Sequence, residues 1–252
     1  AGALLGLVTT VIWQAPAAWL AVALDRASAG RAVLTETRGT AWTGSARLLF
    51  AGGAGSRDVS VLPGRVNWQL RPGLQGLSAR LEADCCTRAP IALLLAPRWG
   101  GARVAVVDPG TGPLQPTVVP AALLAGLGAP WNTLKVEGQL HLQTQGLSVE
   151  WTQGRISVAG SAELAAIGMS SQLSTLRPMG SYRLTLQGGS TVTVGLATIE
   201  GSLQLAGTGR WVGGRLRFEG VASAAPEREA ALSNLLNIIG RRNGARSIIT
   251  VG

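Results

Sequence analysis

Few side chains in this sequence can do chemistry. There is one histidine (His141), one lysine (Lys135), one tyrosine (Tyr182), and an adjacent cysteine pair, Cys85 and Cys86. A nucleophile held by a base and an orienting third group needs more partners than these. His141 alternates with Leu140 and Leu142 in a run of strand character, which puts it on a polar face as a bystander. Two carboxylate pairs are close in sequence: Glu82 with Asp84, and Glu227 with Glu229. The first falls at a strand end. The second falls in the first turn of a helix, where negative charge complements the dipole and implies no acid–base work. Asp108-Pro109-Gly110 is turn chemistry. The sequence has no Gly-rich phosphate loop followed by lysine, no HExxH and no GxSxG, and no CxxC or Cys/His set for zinc. No catalytic, cofactor-binding or metal-binding residue is predicted, and the chain does not read as an enzyme.

Neighbouring cysteines pair with each other only with strain, because the usual Cα separation of a disulfide exceeds one peptide unit. A disulfide here would more naturally join two chains or stay labile. Two free thiols beside a strand are the simpler expectation.

The elements around these residues read mainly as β. In Thr133–Thr144, Leu134, Val136, Gly138, Leu140 and Leu142 alternate with Lys135, Glu137, Gln139, His141 and Gln143. One apolar and one wet sheet face gives that pattern. Arg47–Phe50, Ser60–Leu62, Val66–Leu70, Ser78–Leu81, Ser148–Trp151, Arg155–Val158, Tyr182–Leu186, Ser202–Leu205 and Arg210–Phe218 continue it. Turn signals at Gly52-Gly53, Gly154, Gly188-Gly189 and Gly213-Gly214 predict an antiparallel meander. Three segments break the pattern. Val119–Leu127 reads as a short helix opened near Pro120, Ala162–Leu176 as a loop or helical excursion, and Glu227–Ile239 as an amphipathic helix closed by Gly240. Thr133–Gly146 and Thr198–Gly209 echo each other, each leading to a tryptophan strand, with Trp151 or Trp211.

The 252 residues suffice for one large β domain or two small ones. Charged residues are only 14%, below the roughly one quarter usual in soluble domains, which points to a membrane-associated or exported chain. The net charge of +9 comes almost wholly from arginine. These arginines are scattered singly along strands, the densest group being Arg241, Arg242 and Arg246, which argues against a nucleic-acid stripe.

No charge occurs from Ala1 to Leu24; the first is Asp25. Gln14 and Pro16 divide this run. One reading makes Ala1–Trp13 the outer end of a membrane anchor, with Pro16 opening a short amphipathic helix, Ala17–Ala27, and Trp13 and Trp19 near the membrane–water boundary. The other is a buried N-terminal helix. We expect residues 1–24 to be anchor end and juxtamembrane helix, and 25–252 to be a β domain. Trp42, Trp68, Trp99, Trp131, Trp151 and Trp211 read first as core or cross-strand packing, and second as an aromatic lining or docking ridge.

Several phrases in order resemble a known family: APAAWL (Ala15–Leu20), GTAWTGSARL (Gly39–Leu48), VNWQLRP (Val66–Pro72), VPAALLAGLG (Val119–Gly128), TLKVEGQLHL (Thr133–Leu142), LSTLRPMGSYRLTLQG (Leu173–Gly188), GRWVGGRLRFEGVASA (Gly209–Ala224) and LSNLLNIIGRR (Leu232–Arg242). Their order and separations resemble the type II secretion system protein N (GspN) family across nearly the whole chain. The resemblance implies a single-pass inner-membrane protein with its bulk in the periplasm, and a part in moving folded proteins across the outer membrane. The basic cytoplasmic start of that pattern is missing here. The fold also looks similar to the twisted, open sheets of AsmA-like periplasmic proteins, some of which hold lipid. The expected fold is therefore a twisted antiparallel sheet, as a half-pipe or open sandwich, with an N-terminal membrane helix and a C-terminal amphipathic helix. The expected role is a non-catalytic component of the secretion platform, self-associating as a homo-oligomer and docking other secretion subunits of the inner-membrane platform or secretin. It would contact inner-membrane lipid and use no cofactor. The alternative is an AsmA-like lipid-binding or lipid-transfer module.

Overall fold

The computed structural model describes residues 13–53, 56–108, 116–212 and 214–252. Their strands, in chain order, begin with β1 (Ala32–Gly39), β2 (Thr43–Ala51), β3 (Val59–Val61), β4 (Val66–Gly73), β5 (Gly76–Ala83), β6 (Ile91–Arg98), β7 (Gly101–Val106) and β8 (Thr117–Pro120). They continue with β9 (Val136–Thr152), β10 (Arg155–Ser171), β11 (Gly180–Gln187), β12 (Thr193–Gly201), β13 (Leu203–Val212), β14 (Arg215–Ala224), β15 (Arg241–Asn243) and β16 (Arg246–Val251). All belong to one open sheet, in the order β1-β2-β4-β5-β6-β7-β9-β10-β11-β12-β13-β14-β16-β15. Every pairing is antiparallel, as short hairpin connections require.

Two strands fork. The first half of β2 pairs with β4 (Thr43 opposite Gln69) and its second half with β3 (Leu49 opposite Val61). β9 does the same, pairing with β7 through Ser148–Thr152 and with β8 through Gln139–Leu142. A 3-10 segment, Ala121–Leu127, follows β8 and packs against β3. The sheet therefore runs from β2 to β9 by two routes: the long one through β4, β5, β6 and β7, and a short arm of β3, the 3-10 segment and β8.

Among the described residues, three helices accompany the sheet: α1 (Ala17–Ala27), α2 (Trp131–Leu134) and α3 (Glu229–Ile239). α1 opens after Pro16, whose extended backbone suits the position before a helix. In α3 the apolar positions Leu232, Leu235 and Leu236, at helical spacing, are all buried. Burial of each contributes about 1.5–3 kcal/mol. They close over Tyr182, Leu203, Ala222 and Leu140 to make the main core. A smaller core joins Ala17 of α1 to Ala46 and Trp68.

The β-rich fold, the Ala17–Ala27 helix and the C-terminal helix stand as the sequence predicts. The Ala162–Leu176 reading is corrected: β10 continues as strand to Ser171. Its alternation is broken by register shifts between Ala159 and Ser161 and between Ile167 and Ser170, where Gly160 and Gly168 take positive φ. Residues 1–12, most of the expected anchor end, lie outside the described residues. No described helix is long and apolar enough to cross a membrane.

Candidate functional site

The residues with chemical potential stay apart. His141 meets the side chain of Gln139 at 3.3 Å. Asp84 is structural, its carboxylate accepting from the Arg65 amide and Asn67 Nδ2, each at 3.1 Å. Glu229 pairs with Arg242, and Asp108 accepts from the Gly146 amide at 2.8 Å. Pro109 and Gly110 lie outside the described residues. Among the described residues no three His, Cys, Asp or Glu side chains come together as metal ligands. The free-thiol expectation is corrected. The turn after β5 brings Cys85 and Cys86 together, and they are joined by a disulfide across one peptide unit, with Cα atoms 3.7 Å apart. Cys85 is exposed and Cys86 buried.

The notable site is a chamber between the two routes of the fork. It has a volume of about 320 Å³ and is walled by Leu48 and Phe50 of β2, Leu62 after β3, Leu123 and Leu127 of the 3-10 segment, and Leu140 of β9. Its walls offer almost no polar surface, so it suits hydrocarbon rather than a hydrogen-bonding ligand. Cys86 and Thr87 complete one side. Asn132 Nδ2 donates to Asp58 Oδ2 at 2.9 Å, tying the α2 region to the residue before β3.

An apolar strip runs from the chamber towards the far end of the sheet. Leu81 and Ile91, both chamber residues, are opposed across β5 and β6. On the same face, Leu77, Leu95, Val104, Val149 and Val158 stand directly opposite one another across β5, β6, β7, β9 and β10. Leu95, Val104 and Val149 remain exposed. The strip reaches Trp151 and its cross-strand partner Ile156 at the β9–β10 hairpin.

The tryptophans divide. Trp68 is core: it is 3% exposed, and its indole N–H lies 3.1 Å from the Ala41 carbonyl oxygen, to which it donates. Trp99, Trp131, Trp151 and Trp211 are exposed, so packing does not account for them. The signal was present in the sequence. Trp99 directly precedes Gly100-Gly101, and Trp151 and Trp211 stand three residues before Gly154 and Gly214, so all three sit at hairpin turns. The chamber left a fainter mark, the apolar run AALLAGL of Ala121–Leu127.

Searches of curated proteins and of solved structures each found no match. A family model described as "Type II secretion system (T2SS), protein N" matches residues 31–249, from the start of β1 almost to the end of β16. The match spans the forked sheet, the chamber and α3 as one unit, and the chain belongs to the type II secretion system protein N family, and with it to the protein-secretion machinery of the cell envelope.

Proposed function

We propose that this chain is a non-catalytic structural or assembly component of the secretion platform, acting from the periplasmic side of the inner membrane by binding partner subunits and copies of itself. One observation carries the reading. Among the described residues, Leu95, Val104, Val149, Trp151 and Ile156 stand exposed together on one open antiparallel sheet, the composition of a body completed by neighbours.

The outer sheet edges are poor docking strands. β15 has three residues, two of them Arg241 and Arg242, and β1 is broken by a register shift beside Glu36, whose φ is positive. The Glu227–Ile239 region has turned its leucines into the core. Partner contact therefore falls to the open sheet face. The test is the mass of the detergent-solubilised protein by light scattering, with capture of purified secretion subunits. A discrete oligomer, or a stable complex with one subunit, is expected. A bare monomer that captures no secretion subunit would overturn the reading.

The chamber and the strip leading to it favour a second reading, a module that holds an acyl chain. Stoichiometric phospholipid extracted from a monomer would move the assignment there.

A further inference from the structure

We propose that the tips of three adjacent hairpins, β4–β5, β6–β7 and β9–β10, form a rim that docks on the surface of an anionic phospholipid bilayer. The six strands are consecutive in the sheet, so their turns lie side by side at one end. Gly101 is opposite Thr152, and the Gln153 amide donates to the Gly100 carbonyl at 3.2 Å, which locks two of the tips together. The chamber occupies the other end, where β3 pairs with β2 and β8 with β9.

These turns carry apolar side chains that the fold does not use. Leu74 is fully exposed, Trp99 is 97% exposed, Ile156 70% and Trp151 60%. Indole suits the headgroup level of a bilayer, with an apolar body and a polar N–H. Arginine surrounds them. Within residues 71–76, 97–103 and 150–156 stand Arg71, Arg98, Arg103 and Arg155 against the single carboxylate Glu150, four positive charges less one negative. Glu150 is itself engaged by Arg98 at 3.9 Å, and Arg71 and Arg155 have no carboxylate within ion-pair distance among the described residues. Apolar tips among unneutralised cations match a surface that is oily below and negative above. A purely apolar protein groove would leave the arginines unmatched.

The chain path agrees. The Ala15 carbonyl accepts from the Ala41 amide in the β1–β2 turn, and Pro16 bridges Thr40, so Ala15 and Pro16, just before α1, meet the sheet at its hairpin-turn end. This inference stands apart from the identity of any secretion partner. It sets the orientation of the sheet, with the tips on the membrane and the chamber away from it.

The test uses the full chain reconstituted in vesicles of brominated phosphatidylcholine, with or without phosphatidylglycerol, read by tryptophan fluorescence. The variant W99F/W151F keeps the tips apolar but removes their signal, so the difference from wild type isolates the rim from Trp13 and Trp19. In anionic vesicles wild type is expected to show a quenched component that the variant lacks, and high salt is expected to reduce it. Arg71→Gln and Arg155→Gln should each weaken docking about fivefold. Equal quenching of wild type and variant in both lipids overturns the proposal. So does protection of Trp99 and Trp151 from an aqueous quencher only when a secretion subunit is added, which assigns the rim to a protein partner. Circular dichroism checks that each variant is folded.

Discussion

Gly126 lies against Ser60 with no room for a side chain: a Cβ on the glycine would come 2.6 Å from the Ser60 backbone nitrogen and 2.5 Å from the Phe50 carbonyl oxygen. This contact seats the 3-10 segment on β2 and β3 and closes the short arm of the fork. Both obstructing atoms are backbone, so no rotamer change relieves the clash. We expect Gly126→Ala to destabilise the protein by about 1–3 kcal/mol, and Gly126→Val by more, measured by urea denaturation. Gly146, where a Cβ would meet nothing within 4 Å, has φ +57. Its alanine variant isolates backbone strain without a clash and should cost less, about 1 kcal/mol.

The chamber should take up an apolar probe. N-phenylnaphthylamine is expected to brighten on binding and to saturate at one site per chain, because walls that present almost no polar surface release water at little cost. Leu123→Trp places a large ring in about 320 Å³ of space and should abolish the saturable signal. Trp99→Phe, at the other end of the sheet, should leave it unchanged. Unsaturable brightening in both wild type and Leu123→Trp would show that the probe is reading the exposed sheet face instead.

How much of this was legible in the sequence follows from the range of the interactions. Hairpins are local, so Gly154 and Gly188-Gly189 marked real turns, and the alternation around Val136–Leu142 marked β9. The start of β10 was legible at Arg155–Val158, but its continuation from Ala162 to Ser171 was missed because a bulge shifts the apolar period by one residue, so a strand with two register shifts loses its pattern. The fork was invisible for another reason. β3 and β8 have only three and four residues, and nothing local shows that each pairs beside a longer strand. Trp99 and Trp68 also look alike in composition. Only the turn after Trp99 separates an exposed tip from a core indole.

The end of α3 depends on one hydroxyl. Ser247 Oγ, fully buried, donates to the Leu236 carbonyl at 2.6 Å. That carbonyl is among the last four of the helix and has no partner along it. Ser247→Ala should cost about 1–3 kcal/mol in global stability, since a buried acceptor is left unmatched. Ser233→Ala, on the exposed side of the same helix, should change stability by no more than about 0.5 kcal/mol. Leu232→Ala should cost about 2–5 kcal/mol by opening a cavity under α3.

Tyr182 is the one tyrosine in the chain, which makes its ionisation readable without interference. Its ring belongs to the main core, and its hydroxyl is buried without a hydrogen-bond partner among the described residues. Burial favours the neutral phenol and pushes its pKa well above the ordinary value of 10.0. The sign follows from proton counting. Above about pH 10 the unfolded chain has released this proton while the folded chain still holds it, so stability falls as pH rises. Below about pH 10 both states are protonated and this group adds no slope. We expect the stability difference between wild type and Tyr182→Phe to be flat up to about pH 9. Above about pH 10 it should move against wild type by at most about 1.4 kcal/mol per pH unit. At neutral pH the variant should equal or exceed wild type, because it removes an unmatched buried hydroxyl. In wild type, phenolate absorbance should appear only together with alkaline unfolding. Phenolate titrating near pH 10 in a protein that keeps its folded circular dichroism would show that the ring is open to solvent.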